Sequence, residues 1–323
     1  MITYVEKKYR DNPITQNILK QYPNASVLLI SNYKNIFDKP LAKGVEKSMI
    51  IAGVKNAISE APKGYGHEGY GFFFKNSLNC IYDCSYCYLR GSFRNNTTVF
   101  FVNYEEIQKQ IAEKITQVRK KDPDTPIWFY SSDYSDNLAT DSLTQFTQNF
   151  IPFFEGFDNV KMEIRTKSIN IARLLEYQNI RNTEIAFSLN PSEIIQTYEH
   201  FTPALDARIT AIEKLIEQGY QVGIRFMPLI ETKDYKNIYK QFLLYVSEKI
   251  DFSKIYSVFI GGLLYTKRDY TTLLKKDPQL DILYTLEDSR DGYYREKQEV
   301  REYFYTLFDK YITETECNRC LEE

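Results

Sequence analysis

The amino-acid sequence predicts an α/β fold with a mostly parallel sheet, either barrel-like or doubly wound. The first observation is a series of short β-branched or aromatic runs bounded by turn or polar residues, at 71–76, 98–102, 126–131, 160–166, 183–189, 221–229 and 255–261. The second is helical spacing of apolar residues between these runs, at 104–118, 141–154, 206–219 and 239–250. Strand and helix in alternation are typical of βαβ units, so we expect the functional residues at the carboxyl ends of the strands.

The remaining elements lie on either side of this series. Near the N-terminus, 27–33 predicts a strand, and 47–58 predicts a strand or a helix. The Gly- and Pro-rich stretch 61–71 predicts a loop or a domain joint. Gly219 marks the end of the helix before it, and 282–312 predicts a strand or hairpin followed by a terminal helix.

These patterns divide the chain into three parts. Residues 1–70 form an N-terminal α/β region, residues 71–265 hold the alternating series, and residues 266–323 form a C-terminal extension that ends in a C-x-x-C tail. The sequence shows no low-complexity linker, no long charge block and no convincing internal repeat.

Composition and charge narrow the classes of function. The chain has 323 residues, of which 43% are hydrophobic and 26% charged, as in an ordinary soluble globular protein. A net charge of −2 argues against broad, non-specific affinity for nucleic acid, although a local basic groove is compatible with it. The sequence contains neither the apolar core of a signal peptide nor an apolar run long enough for a membrane span. We therefore expect a soluble, cytoplasmic protein with no membrane partner.

Three of the five cysteines lie close together at Cys80, Cys84 and Cys87, with Tyr88 immediately after them. Thiolates bind the irons of a [4Fe-4S] cluster, and a loop with three ligands leaves one iron open. This spacing and the following aromatic are the signature of radical S-adenosylmethionine (SAM) enzymes, in which SAM occupies the open iron. The alternatives are buried free cysteines or part of a zinc site, but structural zinc normally takes four protein ligands.

The other two cysteines, Cys317 and Cys320, form a C-x-x-C pair near the C-terminus. Such a pair can be a redox-active dithiol with a lowered thiol pKa. It could donate hydrogen, help to bind a second metal centre or pair across a dimer. The alternative is a frayed tail without function, since chain ends are commonly disordered.

Several segments together resemble the spore photoproduct lyase family of the radical SAM superfamily. The segments are CSYCYL, NYEEI, YSDNLATDSLT, RTKS and GYQVGIRFMPLI. The resemblance runs from about residue 71 to about residue 301, and more faintly over the N-terminal region. It implies a partial (βα)6 barrel that uses a [4Fe-4S] cluster and SAM.

The resemblance also implies roles for individual residues. The cluster ligands match Cys80, Cys84 and Cys87, and the residues that hold SAM match Tyr88, Ser135, Lys167 and Ser188. Two tyrosines that return the radical to SAM match Tyr86 and Tyr88. A C-terminal hairpin that opens the DNA around the lesion corresponds to the region from Tyr284 to Arg295.

The implied activity is the splitting of a thymine dimer formed by ultraviolet light. A 5′-deoxyadenosyl radical abstracts hydrogen from the lesion, the methylene bridge breaks, and a cysteine thiol returns a hydrogen atom. The implied partners are a nucleic acid or nucleoside substrate and a reducing protein such as flavodoxin or ferredoxin. We expect the C-terminal extension to cover the substrate.

The sequence departs from the family at the hydrogen donor. The position two residues before the SAM-binding Ser135 should be a cysteine, and it is Asp133. A carboxyl group is normally ionised and does not donate a hydrogen atom as a thiol does. Either another group, such as the C-terminal cysteine pair, donates the hydrogen, or the reaction is different. Asp133 itself is a candidate substrate-contacting acid or base, or a strand-end cap.

Two other functions therefore stay open. The same radical chemistry could act on a different small molecule or peptide, or the chain could be a non-catalytic metal-binding or damage-recognition protein. Arg and aromatic residues interleave at 266–270, 289–297 and 300–305, which suits contact with nucleic acid, although 296–311 also predicts an amphipathic helix. The two histidines, His67 and His200, have no partner at catalytic spacing and are expected in surface or loop positions.

Overall fold

The computed structural model of the protein describes residues 1–40, 48–289 and 291–322. Its centre is a curled sheet of eight strands, a half-barrel, in which all neighbours are parallel except one antiparallel pair at the N-terminal edge. The strands, in spatial order, are Cys317–Arg319, Ser257–Gly262, Gln221–Leu229, Thr183–Ser188, Val160–Thr166, Ile127–Tyr130, Tyr70–Phe74 and Ile58–Glu60. The six central parallel strands confirm the predicted partial (βα)6 barrel.

Helices connect the parallel strands across the outer face of the half-barrel. They are Tyr104–Arg119, Phe146–Glu155, Leu205–Glu217, Tyr235–Lys249 and Gln298–Tyr311. The first of them buries Ile107, Ile111, Ile115 and Val118, which recur at helical spacing on one face. Each such side chain contributes about 1.5–3 kcal/mol on burial. The connection after Val160–Thr166 contains the short 3-10 helix Leu174–Glu176.

A second sheet of five strands carries most of the N-terminal region. In spatial order its strands are Ser26–Ile30, Ile2–Glu6, Ser48–Ala52, Thr98–Phe101 and Ser77–Leu78. The strand predicted at 27–33 is confirmed, and 47–58 contains a strand, with Lys47 outside the described residues. Thr98–Phe101 leaves the alternating series and pairs with Ser48–Ala52, because its apolar run completes the N-terminal sheet. The helices Pro13–Gln21 and Lys34–Phe37 accompany this sheet.

The C-terminal extension adds a small antiparallel sheet and a terminal helix. The strands of that sheet, in spatial order, are Leu264–Thr266, Tyr293–Glu296 and Leu286–Asp288. The helix Lys267–Lys276 and the 3-10 helix Asp281–Thr285 lie between Leu264–Thr266 and Leu286–Asp288 in the chain. The predicted hairpin and terminal helix within 282–312 are therefore confirmed. Arg290, in the turn of the predicted hairpin, lies outside the described residues.

The remaining elements are short. They are the helices Leu89–Ser92, Asp141–Thr144 and Ser192–Tyr198, the 3-10 helices Lys7–Tyr9, Leu138–Thr140 and Phe252–Lys254, and a ribbon that pairs Asp83–Cys84 with Glu199–His200. In the part of the chain that the structure describes, we find no helix with the length and apolar character to cross a lipid bilayer.

Two helix ends show how local chemistry sets the elements. Gly219 has a φ of +89°, a left-handed conformation that ends the helix as predicted. The helix predicted at 141–154 is wrong as a single element. It is divided at Gln145, whose φ is +54°, because the Asp141 carboxylate accepts hydrogen bonds from the Thr147 amide and hydroxyl and begins a new helix there.

Candidate active site

The cysteine loop follows the strand Ser77–Leu78 and ends at the short helix Leu89–Ser92. Cys80, Cys84 and Cys87 all line one cleft, and all three are free thiols. The loop begins at Asn79, which has a φ of +61° and donates hydrogen bonds from Nδ2 to the carbonyls of Thr97 and Asn95. Burial raises the pKa of the Cys84 thiol to about 12. A thiolate at this site therefore needs a compensating positive charge, such as that of bound iron.

Contacts from distant parts of the chain hold the cysteine loop in place. Cys84 pairs with Glu199 in a short antiparallel ribbon, and the Ser85 amide donates to the Tyr198 carbonyl at 2.8 Å. From the strand Leu264–Thr266, the Tyr265 hydroxyl donates to the Tyr86 carbonyl at 2.5 Å. The loop is therefore fixed from two sides of the half-barrel.

Ser135 and Lys167, two predicted SAM contacts, are joined by Asp136. The Asp136 carboxylate accepts hydrogen bonds from the Thr166 hydroxyl and the Lys167 amide, both at 2.8 Å. The Ser135 hydroxyl is buried and has no hydrogen-bond partner among the described residues. A buried polar atom without a partner is costly, so this hydroxyl fits a polar ligand.

The third predicted contact, Ser188, is buried at the carboxyl end of the strand Thr183–Ser188. Its carbonyl accepts a hydrogen bond from the Arg208 guanidinium at 2.9 Å. The Lys167 ammonium lies 5.6 Å from the ring centroid of Tyr86 in the cysteine loop, and its charge opposes the rise that burial causes in the pKa of Cys84 and Cys87. The structure therefore brings these polar groups to the carboxyl edge of the half-barrel, beside the cysteine loop.

Glu199 is a central residue of the site that the sequence interpretation missed. Its buried carboxylate accepts hydrogen bonds from the Tyr86 hydroxyl, from Asn190 and from Arg208, the last at 2.5 Å. Burial alone would raise the pKa of Glu199, but Lys167 and Arg208 outweigh it and hold the pKa below its usual value. Glu199 therefore stays ionised next to the cysteine loop, and no sequence motif marks it.

Asp133, at the position of the missing thiol, contacts two tyrosines. The Tyr88 hydroxyl donates to the backbone carbonyl of Asp133 at 2.5 Å and lies 3.1 Å from the side-chain Oδ2 of the same residue. The Tyr65 hydroxyl lies 3.3 Å from Asp133 Oδ1. Burial raises the pKa of Asp133, and the two phenols and Arg165 oppose part of that rise. Asp133 is thus a carboxyl group shared between two phenols, one of which follows the last cysteine of the loop.

The two C-terminal cysteines have different surroundings. The strand Cys317–Arg319 forms the edge of the half-barrel, and the Cys320 amide donates to the Ile260 carbonyl at 2.8 Å. The Cys320 thiol is 5% exposed and contacts the Tyr65 carbonyl at 2.9 Å. Cys317 packs against the outer apolar core and lines a separate surface groove. Strand alternation places the two side chains on opposite faces, so the structure does not bring them together as a dithiol.

The two histidines lie in loop or surface positions, as predicted, and have partners that the sequence does not reveal. His67 lies in a loop and is half-buried; its ring stacks on Trp128 with a centroid separation of 3.7 Å, and its Nε2 lies 2.6 Å from Glu184. His200 is exposed, and its Nε2 lies 2.9 Å from the Ser85 hydroxyl.

The predicted DNA-contacting hairpin presents only some of its polar and aromatic groups. Tyr284 is 63% exposed, whereas Arg295 is 5% exposed and pairs with Asp291. Tyr294 stacks on Tyr270 with a centroid separation of 3.8 Å. The Arg295 side chain therefore supports the fold of the extension in this structure.

The family model and the related sequences point to one family. The family model described as "Spore photoproduct lyase" matches residues 3–307. A spore photoproduct lyase of Clostridium acetobutylicum is 25% identical over 253 residues, which are 76% of this chain and 73% of that protein. Another from Bacillus subtilis is 24% identical over 259 residues, 77% of this chain and 72% of that protein.

Solved structures share the fold at low sequence identity. A spore photoproduct lyase double mutant with bound AdoMet and dinucleoside spore photoproduct gives a TM-score of 0.81 at 17% identity, covering 97% of this chain and 96% of that chain. A spore photoproduct lyase complexed with dinucleoside spore photoproduct gives 0.78 at 18% identity, with the same coverage.

Proposed function

The chain belongs to the spore photoproduct lyase family of radical SAM enzymes, and we propose that it uses a [4Fe-4S] cluster and SAM to repair a thymine photolesion. One observation carries the proposal. Three cysteine thiols share a cleft, and the Lys167 ammonium lies 5.6 Å from the ring centroid of Tyr86 in the same loop. Ser135, whose buried hydroxyl has no partner among the described residues, directly precedes Asp136, which bonds the Lys167 amide. That donor set suits an iron–sulfur cluster with a polar ligand next to it.

The [4Fe-4S] cluster and SAM would be held by separate sets of residues. Cys80, Cys84 and Cys87 would ligate the cluster, and SAM would contact Tyr88, Ser135, Lys167 and Ser188. When bound, the cluster and SAM supply a 5′-deoxyadenosyl radical that abstracts a hydrogen atom from the substrate. Glu199 keeps Lys167 and Arg208 in place beside these groups through charge and hydrogen bonds.

The proposed substrate is a dinucleoside or nucleic acid that contains spore photoproduct. Two related solved structures hold that dinucleoside, which supports the same class of substrate for this chain. The C-terminal extension, residues 266–323, would cover the substrate and keep the reactive intermediate from water. A low-potential protein such as flavodoxin or ferredoxin would reduce the cluster.

Hydrogen return needs a donor other than Asp133, and we assign that role to Cys320. Its thiol lies beside Tyr65, which bonds Asp133, whereas Cys317 faces the outer core. When the methylene bridge has broken, the substrate carbon radical takes a hydrogen atom from Cys320. A C–H bond forms, the S–H bond breaks, and a thiyl radical is left on the sulfur.

Anaerobic turnover of the reconstituted, reduced protein with SAM and dinucleoside spore photoproduct tests this function. We expect 5′-deoxyadenosine and restored thymidine dinucleoside in the mass spectrum of the parent and of Cys317→Ala. Cys320→Ala should cleave SAM but restore little thymine. Adding Asp133→Cys to Cys320→Ala should recover repair, because it returns a thiol to the family's donor position. SAM cleavage with an untouched lesion in the parent would reject the proposal.

The presence of Asp133 in place of the donor thiol favours one second candidate. The same radical chemistry could act on a different small molecule or peptide whose product does not need a thiol. That candidate predicts SAM cleavage without repair in the assay above. Membership of an enzyme family argues against the non-catalytic alternative.

A further inference from the structure

Tyr65, Asp133 and Tyr88 form a continuous hydrogen-bonded connection, which we call the Tyr–Asp–Tyr bridge. Its two phenols approach different oxygens of one carboxyl group, Tyr88 at 3.1 Å from Oδ2 and Tyr65 at 3.3 Å from Oδ1. Tyr88 directly follows the proposed cluster ligand Cys87, and Tyr65 lies in the loop between the strands Ile58–Glu60 and Tyr70–Phe74. The bridge therefore joins the cysteine loop to a second segment of the chain.

The Tyr65 end of the bridge is held rigidly. Its ring packs edge-on against Phe73 and Tyr130, with centroid separations of 4.7 and 4.9 Å. The Arg165 guanidinium lies 4.9 Å from the ring centroid on the half-barrel side. The backbone carbonyl of the same Tyr65 accepts the hydrogen bond of the Cys320 thiol. An oxidisable thiol thus lies against the backbone of the residue that carries the phenol.

We propose that Tyr65 is a further catalytic residue and that Asp133 relays the proton as a hydrogen atom passes from Tyr88 to Tyr65. The inference rests on the proposed function, which leaves a thiyl radical on Cys320. That radical takes a hydrogen atom from Tyr65, so an S–H bond forms and the Tyr65 O–H bond breaks. An electron then passes from Tyr88 to Tyr65 while Asp133, as the acid, gives its proton to Tyr65 and accepts the proton of Tyr88. The thiol, Tyr65 and Asp133 are restored, and the radical is left on Tyr88.

The carboxyl group is suited to this step by its position. Removing an electron alone from a buried phenol would leave a positive charge in a medium that solvates it poorly. A carboxyl group that contacts both phenols can move a proton with the electron, so neither ring carries a net charge. A thiol at position 133 could donate hydrogen itself but could not bridge two phenols in this way. Where the family has a donor cysteine, this chain has Asp133. In the proposed relay, Cys320 takes over hydrogen donation and Tyr65 receives the radical.

SAM consumption per repaired lesion measures the relay in the holoenzyme. The parent should consume less than one SAM per lesion, since the radical returns to the cysteine loop for reuse. In Tyr65→Phe and Asp133→Asn the hydrogen return should slow by about 10²-fold, as expected for loss of a positioned proton-transfer group, and SAM consumption should rise to at least one per lesion. Tyr134→Phe is the matched control, because Tyr134 also packs on Phe73 but its hydroxyl is not bonded to Asp133. Equal SAM consumption in Tyr65→Phe and Tyr134→Phe would overturn the relay.

Electron paramagnetic resonance during turnover supplies a second readout. In reduced holoenzyme that is freeze-quenched with SAM and dinucleoside spore photoproduct, Tyr65→Phe interrupts the relay before Tyr88, so the tyrosyl radical signal should be lost, whereas Tyr134→Phe should keep the signal of the parent. A tyrosyl signal of equal size in the parent and Tyr65→Phe would reject Tyr65 as a radical carrier. Absence of lesion repair in the parent would instead refute the proposed function.

Discussion

At the scale of single residues, two carboxyl groups beside the cysteine loop have opposite electrostatic environments. Glu199 contacts Arg208 and lies near Lys167, so its pKa is held below the usual value despite burial. Asp133 has phenols as its partners, and burial raises its pKa. The positive charges of Lys167 and Arg208 therefore keep Glu199 ionised, whereas Asp133, which has phenols as partners and a raised pKa, is better placed to accept a proton.

Replacing Glu199 by Gln should destabilise the fold. Arg208 is fully buried, and the variant leaves its guanidinium without a charged partner, at a cost of about 3 kcal/mol in the free energy of unfolding. Urea denaturation measures the change. Glu193→Gln, on the exposed face of a neighbouring helix, is the control. A loss no larger than that of the control would contradict the role of Glu199.

The unpartnered hydroxyl of Ser135 should matter for SAM and not for the cluster. Ser135→Ala removes one hydrogen bond to the ligand, which corresponds to about 1 kcal/mol or roughly a fivefold weaker affinity. Equilibrium dialysis of SAM against the reconstituted protein measures this affinity, with iron content as a check on the cluster. The exposed Ser142→Ala is the control. Unchanged SAM affinity in Ser135→Ala would place the ligand elsewhere.

At the scale of elements, the C-terminal hairpin is attached to the half-barrel by a buried carboxyl group. Glu296 Oε1 accepts the Leu263 amide at 2.9 Å, and Oε2 has no partner within the described ranges. Burial raises the pKa of Glu296 to about 8, with Glu231 adding to the rise and Arg301 opposing it. The hairpin therefore packs best when Glu296 is protonated.

Because the pKa of Glu296 differs between the folded and unfolded states, the free energy of unfolding depends on pH. The folded-state pKa of about 8 exceeds the ordinary value of 4.5, so the stability it contributes is complete below pH 4.5 and is lost as the pH rises through 8. Glu296→Gln cannot titrate and should be more stable than the parent at pH 9 by roughly 2–4 kcal/mol. Denaturant unfolding at pH 5 and pH 9 compares the two. Parallel pH profiles would count against a protonated Glu296.

The elements also show what sequence reasoning can reach. The six parallel strands, the terminal helix and the cysteine loop follow from periodicity and spacing within short windows. The placement of Thr98–Phe101 in the N-terminal sheet depends on pairing with a strand about fifty residues earlier, which no local pattern encodes. Tyr65 and Glu199 are missed for the same reason, since Tyr65 meets Asp133 and Glu199 meets Tyr86 only through the tertiary fold.

At the scale of the whole molecule, the half-barrel encloses a charged interior. Arg225 is fully buried and bonds both Glu163 and Glu184, at 2.6 and 2.9 Å. Burial alone would raise the pKa of Glu163, but Arg165 and Arg225 outweigh it and hold the pKa at about 2. The sheet therefore curls around paired charges as well as around apolar side chains, and the strands that carry the site are tied together by them.

This interior should limit stability in acid. The folded-state pKa of Glu163 lies below the ordinary 4.5, so its contribution is present above pH 4.5 and is lost as the pH falls toward 2. Glu163→Gln should lose about 3 kcal/mol at pH 7, because Arg225 keeps only one partner, and should lose less further stability on acidification than the parent does. Denaturant unfolding at pH 7 and pH 3 measures both. Equal losses on acidification in the two proteins would contradict the account.

The most direct test of the central claim follows hydrogen return in deuterated water. An exchangeable thiol becomes S–D there, so repair of an unlabelled lesion by the parent and by Cys317→Ala should place one deuterium in the thymine methyl group formed from the methylene bridge. Cys320→Ala should give little of this product. Repaired thymine without deuterium, or full deuteration in Cys320→Ala, would show that the hydrogen does not come from Cys320.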